Sequence, residues 1–224
     1  MHGLTLTLDL NMCLNQVFVM SDQDTRHRIL HAAAQLFVEE GFQKTSVRSI
    51  CKAADANVAA VNYHFSDKRG LYHAVIQYAM EQKIEAEDQP DADLETRLRI
   101  WISSLVHSTI GQEPELLCQV MANEMIRPTE FLPIMLQEMI GPRLCLLESI
   151  IAEALGVEPD DKRVQRLAMS VAGQVLLYDH CRPAVTLLMP EMDYSDACLE
   201  GLIDHVTRAS VGMISSFRES PNDK

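Results

Sequence analysis

Between residues 57 and 68 the chain reads NVAAVNYHFSDK, a run whose residue types and spacing suit contact with a nucleic acid. Asn57, Val58, Ala59, Ala60 and Asn62 carry short amide or methyl side chains. An amide can pair bidentately with adenine, Val and Ala methyls can touch the methyl of thymine, and small side chains let a backbone approach a groove closely. Tyr63, His64 and Lys68 suit phosphate oxygens, as do Thr45 and Ser46 upstream. Lys68 also falls in the first turn of a helix, where free N–H groups already favour an anion. Arg48 has the reach for a guanine edge or for the sugar–phosphate backbone. The same residues have ordinary uses: Val61 and Phe65 read as core, Tyr63 also suits packing, and Arg48 also suits a surface ion pair.

These side chains need a frame, and residues 45–68 supply one. Val47, Ile50, Ala53 and Ala54 form a one-sided 3.6-residue stripe, so a short helix is expected from Thr45 to Ala54. Thr45 or Ser46 can cap it. Asp55 falls where the chain must reverse, and Asp tolerates positive φ better than most residues. Asn57 caps a second short helix to His64, and Ser66 caps a third. Two such helices joined by a tight turn form a helix-turn-helix, whose second helix fits the major groove. An earlier helix over about Thr25–Glu40, with Ile29, Ala33, Leu36 and Phe37 on one face, should brace it. Gly41 is expected to end that helix as a left-handed cap with Phe42 folding back.

TSVRSI, AADANVAAVNYHF and SDKRGLYHAV together resemble the DNA-binding region of TetR-type transcriptional regulators, over roughly residues 24–80. NYHF-x-x-K followed by Leu71 and Tyr72 is the most specific part. Asp55 stands where that family usually has Gly, and Ala59 where a Gly often begins the recognition helix. The resemblance implies DNA contact at Thr45, Arg48, Asn62, Tyr63, His64 and Lys68. The run MANEMIRPTEFLPIMLQEMIGPRLCLLESII with the later AGQVLLY is similar to the C-terminal domain of the CecR-like branch.

Charge is unevenly distributed along the chain. The net charge is −13, yet residues 21–70 hold seven Lys/Arg against six Asp/Glu, while residues 71–224 hold twelve against twenty-five. That asymmetry fits a DNA-reading head on an acidic body. Gly and Pro are sparse and Ala, Leu, Ile, Met and Glu are abundant, so an all-α chain is expected: an N-terminal three-helix HTH domain over 21–70 and a larger helical effector and dimerisation domain over 71–224. Residues 1–20 alternate apolar and polar and carry Asp9 without a basic start; they read as a flexible extension rather than a signal peptide. Met20, just before SDQDT, is an alternative start that N-terminal mass spectrometry would test. Six scattered cysteines show no C-x-x-C pair, as expected of reduced thiols in a cytoplasm, and there is no apolar run of transmembrane length.

Within the body, a helix continues from Asp67 to about Lys83 as a link to the head, and EAEDQPDAD at 85–93 reads as a linker. Further helices are expected at 93–110, 113–126, 129–155, 161–182 and 194–217. Pro133 suits a first turn, and Pro142 implies a kink or break. Val171 and Val175 on the penultimate helix, with Leu199, Leu202, Val206, Met213 and Phe217 on the last, form stripes that could close the core or pair with a second subunit. The resemblance favours the homodimer, since TetR-type regulators pair through their last two long helices. Met121, Met125, Met135 and Met139 could be core, or could line an apolar effector pocket with Trp101, Phe131 and Tyr178; Glu124, Gln174 and His180 would then hold the ligand's polar groups.

The function expected is a ligand-responsive repressor that binds a pseudo-palindromic double-stranded operator as a dimer, with an apolar or amphipathic small-molecule effector. The alternative keeps the head but uses the acidic body to recruit a protein partner. No phosphate loop, G-x-S-x-G, HExxH or dinucleotide fingerprint points to an enzyme or a cofactor. His27 and His31 have metal-ligand spacing, but no acidic or cysteine partner completes a motif, so no metal is expected.

Overall fold

Glycine and proline set many of the helix ends. A computed structural model describes the backbone of residues 5–81, 88–111 and 116–218, with side chains from Asp22 onward except those of Leu117 and Met139. The chain is all-α, with no strand among the described residues. It divides into two compact units, Met1–Glu81 and Gln82–Lys224. The first holds α1 (Thr5–Lys44), α2 (Val47–Ala53), α3 (Val58–Phe65) and α4 (Lys68–Glu81). The second holds α5 (Leu94–Ile110), α6 (Leu116–Ile126), α7 (Leu132–Met135), α8 (Gly141–Leu155), α9 (Lys162–His180), α10 (Arg182–Leu188) and α11 (Asp196–Arg218).

Two boundaries differ from expectation. The sequence sets the head's end after residue 70, but α4 packs along α1 and buries Leu71, Tyr72, Val75, Ile76 and Ala79, so the first unit runs to Glu81. Gln82 and Lys83 lie outside the described residues. Of the extension 1–20, residues 1–4 also lie outside them, while from Thr5 the backbone is helical and continuous with α1. Residues 4–20 contain neither Gly nor Pro, so nothing in that stretch stops a helix from propagating.

Inside the head, α1 breaks at Gly41, whose φ of 76° and ψ of 164° lie outside the helical basin. The positive φ is as expected, although the extended ψ is not that of a left-handed cap. Phe42 then folds back, its ring centroid 6.0 Å from Phe37 and 4.8 Å from Tyr72. Asp55 takes φ 47° in the turn. The Arg28 guanidinium ties α1 to that turn by donating to the carbonyls of Ala54 (2.9 Å) and Asp55 (3.3 Å). Ile29, Ala33, Phe37, Ile50, Val61, Phe65 and Leu71 fill the space between the four helices. The cap of α4 is Asp67 rather than Ser66: its carboxylate accepts from Gly70 N at 2.8 Å, while Ser66 takes φ 70° to close α3.

In the body, α11 packs along α5, and α8 and α9 cover the remaining faces of one apolar core. Pro133 lies in the first turn of α7, as expected. Pro142 acts differently from a simple kink. It has no N–H for an i−4 bond, and the chain before it widens into a π turn over Leu136–Ile140, with Gly141 N bonding five residues back to Leu136 O. A helix unforeseen in the sequence, α10, follows Cys181, with Pro183 in its first turn.

The α9 cap gives this unit an acid-side liability. Asp161 binds the Arg163 side chain and accepts from its backbone N at 2.8 Å, which holds the carboxyl at about 2. A group depressed on folding stabilises above its unfolded value and loses that contribution as pH falls through the folded one. Asp161→Asn is therefore expected to flatten the decline of melting temperature between roughly pH 4 and 2, as thermal melts would show.

Candidate functional site

The exposed side of α3 is a surface of methyls and one amide, bordered by hydroxyls. Asn57 caps the helix, its amide oxygen accepting from Ala60 N at 2.8 Å. Val61 and Phe65 point into the head, so Val58, Ala59, Asn62 and Tyr63 point away from it and are exposed, with Ala60 half-buried between the two sides. Tyr63 is 76% exposed and is not a packing residue. On α2, Arg48 is exposed and has no ion-pair partner among the described residues; Lys44 and Lys52 share that condition. Ser46 is exposed as well, but its hydroxyl accepts from Ser49 N at 3.0 Å and closes a capping box.

Three expected phosphate contacts are placed differently. Thr45 is 2% exposed, and its hydroxyl proton is shared between Leu36 O (3.0 Å) and Gly41 O (2.9 Å), the latter also accepting from Thr45 N at 3.3 Å. The Thr45 hydroxyl is thus engaged within the head rather than presented at its surface. His64 has a side chain only 7% exposed, with Nε2 3.4 Å from the Asp22 carboxylate, so it locks α3 to α1. The ammonium of Lys68 sits 4.4 Å over the Phe42 ring and reaches Gln43 O at 3.5 Å, and its partial burial lowers its pKa. Thr45→Val keeps the shape and removes both hydrogen bonds. It should cost about 1–2 kcal/mol of stability and leave the salt dependence of DNA binding unchanged, which denaturation and titration would check.

The second unit contains a cavity of about 350 Å³, almost wholly apolar, between α5, α6, α8 and α9. Trp101, Met121, Met125 and His180, four of the candidates for an effector pocket, lie on its wall. The other expected wall residues do not. Glu124 is buried and accepts from Thr129 N and Oγ (2.8 and 2.9 Å), holding the turn before α7. Gln174 donates to Ser170 O and Ser210 Oγ, both at 3.3 Å. Met135 is fully buried, Phe131 starts α7, and Tyr178 packs on the core. The Met139 side chain lies outside the described residues. Pro128 and Pro133 lie in the methionine run between α6 and α8, and of its described side chains Met121 and Met125 reach the cavity while Met135 does not. Residues that periodicity missed include Leu105, Thr109, Cys118, Arg143, Leu176 and Asp179.

Beside the cavity lies a polar cleft of about 660 Å³, and the two share Thr109, Cys118, Ala122 and Asp179. Arg182 lines the cleft; it donates to Ile110 O at 3.0 Å and stacks 4.3 Å over Tyr194. Burial pushes the Asp179 carboxyl up, against the opposing pull of His180 and Arg182.

Residues 29–75 match the family model of the bacterial regulatory proteins of the tetR family, and residues 94–214, more than half the chain, match the C-terminal domain of the HTH-type transcriptional dual regulator CecR. The chain belongs to the TetR family. Among its relatives, the HTH-type transcriptional regulator UidR of Escherichia coli K12 is 33% identical over 113 residues, 47% of this chain and 55% of UidR, so the match spans about half of that protein. CecR of Shigella flexneri is 22% identical over 178 residues, 73% of this chain and 79% of CecR. The same fold occurs in the hemolysin II regulator HlyIIR, with TM-score 0.60, 20% identity, and 84% of this chain and 97% of that one covered. It occurs again in AibR, solved with isovaleryl coenzyme A and operator DNA, with TM-score 0.60, 19% identity and the same 84% and 97%.

For this TetR-family chain the expected dimer residues need correction. Val171, Val175 and Leu199 are 0% exposed, and Leu202 and Val206 are almost as covered, because α5 and α8 of the same chain already bury them. Met213 and Phe217 pack partly on that core. The free sides of α9 and α11 carry other residues: Met169, Gly173 and Leu177 on one, and Gly201, His205, Ala209 and Gly212 on the other. Among the described residues, no helix is long and apolar enough to cross a membrane.

Proposed function

We propose that this TetR-family chain is a DNA-binding transcriptional regulator, acting in the cytoplasm as a homodimeric repressor that a small apolar or amphipathic ligand releases from a pseudo-palindromic operator. The observation that carries this reading is the α3 surface. Asn62, Val58 and Ala59 stand exposed on a helix whose other side is locked into the head by Val61 and Phe65. A single helix-turn-helix makes a small interface, so useful affinity needs two heads on half-sites a helical turn or a multiple apart. The second head comes from a second copy docked on the free sides of α9 and α11. A Cβ added at Gly173, Gly201 or Gly212 would meet nothing within 4 Å, which leaves room for another helix to approach closely.

The cavity supports a small ligand as the trigger, since its size and lining fit the usual range for such sites. A ligand that prefers one arrangement of the body would change the separation of the two heads by its differential affinity for the two states, typically about 1–3 kcal/mol. The test is selection of genomic fragments by the purified protein, followed by titration of a selected fragment at several salt concentrations. A dimer-sized, two-fold footprint is expected. Arg48→Ala should weaken all sequences alike and reduce the magnitude of the salt slope by about 1 per head. A protein that retards no fragment at low salt, or that protects one asymmetric half-site, contradicts the proposal.

A further inference from the structure

The cavity and the polar cleft meet at Asp179, and that carboxylate is the least satisfied charged group on either wall. Its side chain is 25% exposed, and His180 Nδ1, at 3.7 Å, is beyond hydrogen-bonding distance and bonds Leu176 O at 2.9 Å instead. Among the described residues, none donates a hydrogen bond to it. A carboxylate taken largely from water without a donor is costly, so a ligand that brings a donor gains what the free protein lacks. The nearby cations are differently placed. Arg143 donates to Ser108 Oγ at 3.0 Å and Ser104 Oγ at 3.4 Å, and Arg182 is held by Ile110 O and the Tyr194 ring. Trp101, on the same cavity wall as Asp179, offers an indole that attracts positive charge.

We infer that the cavity takes a cationic amphiphile: a protonated amine whose ammonium donates to Asp179 at the join with the polar cleft, and whose apolar body lies against Trp101 and Met121. This assignment of ligand class rests on the ligand-responsive reading given above. The groups facing Asp179 are His180 and Arg182 on its own side, Arg143 from α8, Cys118 from α6, and Asp193 and Tyr194 from the segment before α11. Burial raises the carboxyl, so its charged form is costly without a partner, and an ammonium that donates to it offsets that cost. Amine affinity should therefore fall as the pH drops and this carboxyl takes up its proton.

Trp101 is the only tryptophan in the chain, so its fluorescence reports occupancy of this cavity. The probes are phenylbutylamine, phenylbutanol and phenylbutyrate, which share one apolar body and differ in the charge of the head. The amine is expected to bind ~10-fold or more tightly than the other two. Asp179→Asn should erase that preference while keeping or raising the melting temperature, because it removes a buried charge. Equal affinities, preference for the carboxylate, no quenching by any probe, or an amine preference that survives in the Asn variant would each overturn the inference. Gel retardation of a selected fragment separates the two levels. Retardation without charge preference overturns the ligand class alone, whereas absence of retardation overturns the proposed function whatever the amine does.

Discussion

Alanine in place of Gly70 is expected to abolish operator binding while leaving the body folded. A Cβ at this position would overlap the carbonyl oxygen of Phe65, a backbone atom at the end of α3 that cannot swing aside as a side chain would. The Gly70 N–H is also part of the α4 cap on Asp67. The junction between α3 and α4 must therefore shift, and overpacking costs typically reach about 3 kcal/mol. That is a large fraction of the stability of a small unit. The shift would move the α3 surface out of register with a groove even in molecules that stay folded. Denaturation followed by Trp101 fluorescence, which reads the second unit, and by far-ultraviolet circular dichroism, which reads both, would separate the effects. Gly70→Ala with full operator affinity and an unchanged dichroism transition would contradict this account.

The second large effect is expected at Asn62. It is exposed on α3, and its side chain has no partner among the described residues, so Asn62→Ala should leave thermal stability unchanged. A bidentate amide contact is worth about 1–3 kcal/mol of base discrimination, and a dimer on two half-sites loses it twice, about 2–6 kcal/mol in all. The loss should appear on the selected operator and vanish on operators altered at the base pair that Asn62 reads. Anisotropy titrations over single-base variants would show this. A uniform loss over all variants would assign the base reading to another residue. Arg48 supplies the contrast: if it holds a phosphate, as proposed, its loss weakens every sequence equally.

The helix-turn-helix was legible because its determinants are local. Ser46 and Asn57 cap the helix that each directly precedes, Asp55 supplies the positive φ of the turn, and Val61 and Phe65 are four residues apart on one helical side. Thr45 and His64 show where such legibility stops. Each has the residue type of a phosphate contact, and the sequence around each permits exposure. Thr45 is buried because α1 breaks at Gly41 and presents two carbonyls to its hydroxyl, and His64 because Asp22 of α1 comes to rest beside it. Lys68 is a milder case, drawn over Phe42 by the same break. In each, the partner lies on another helix and is set by packing.

By itself the sequence determined the all-α class, the helix-turn-helix, the long helices other than the details of their ends, and which side of each amphipathic helix is buried. Periodicity reports that a stripe such as Leu199, Leu202 and Val206 leaves water, because apolar burial stabilises the fold wherever it occurs. It does not report what covers the stripe. Only the tertiary structure decided that α5 and α8 of the same chain do so, leaving Gly173, Gly201 and Gly212 outside. The cavity belongs to the same category. It is space left where four helices do not interlock, walled by residues as far apart in the chain as Trp101 and Asp179, and no local pattern records a gap that only packing creates.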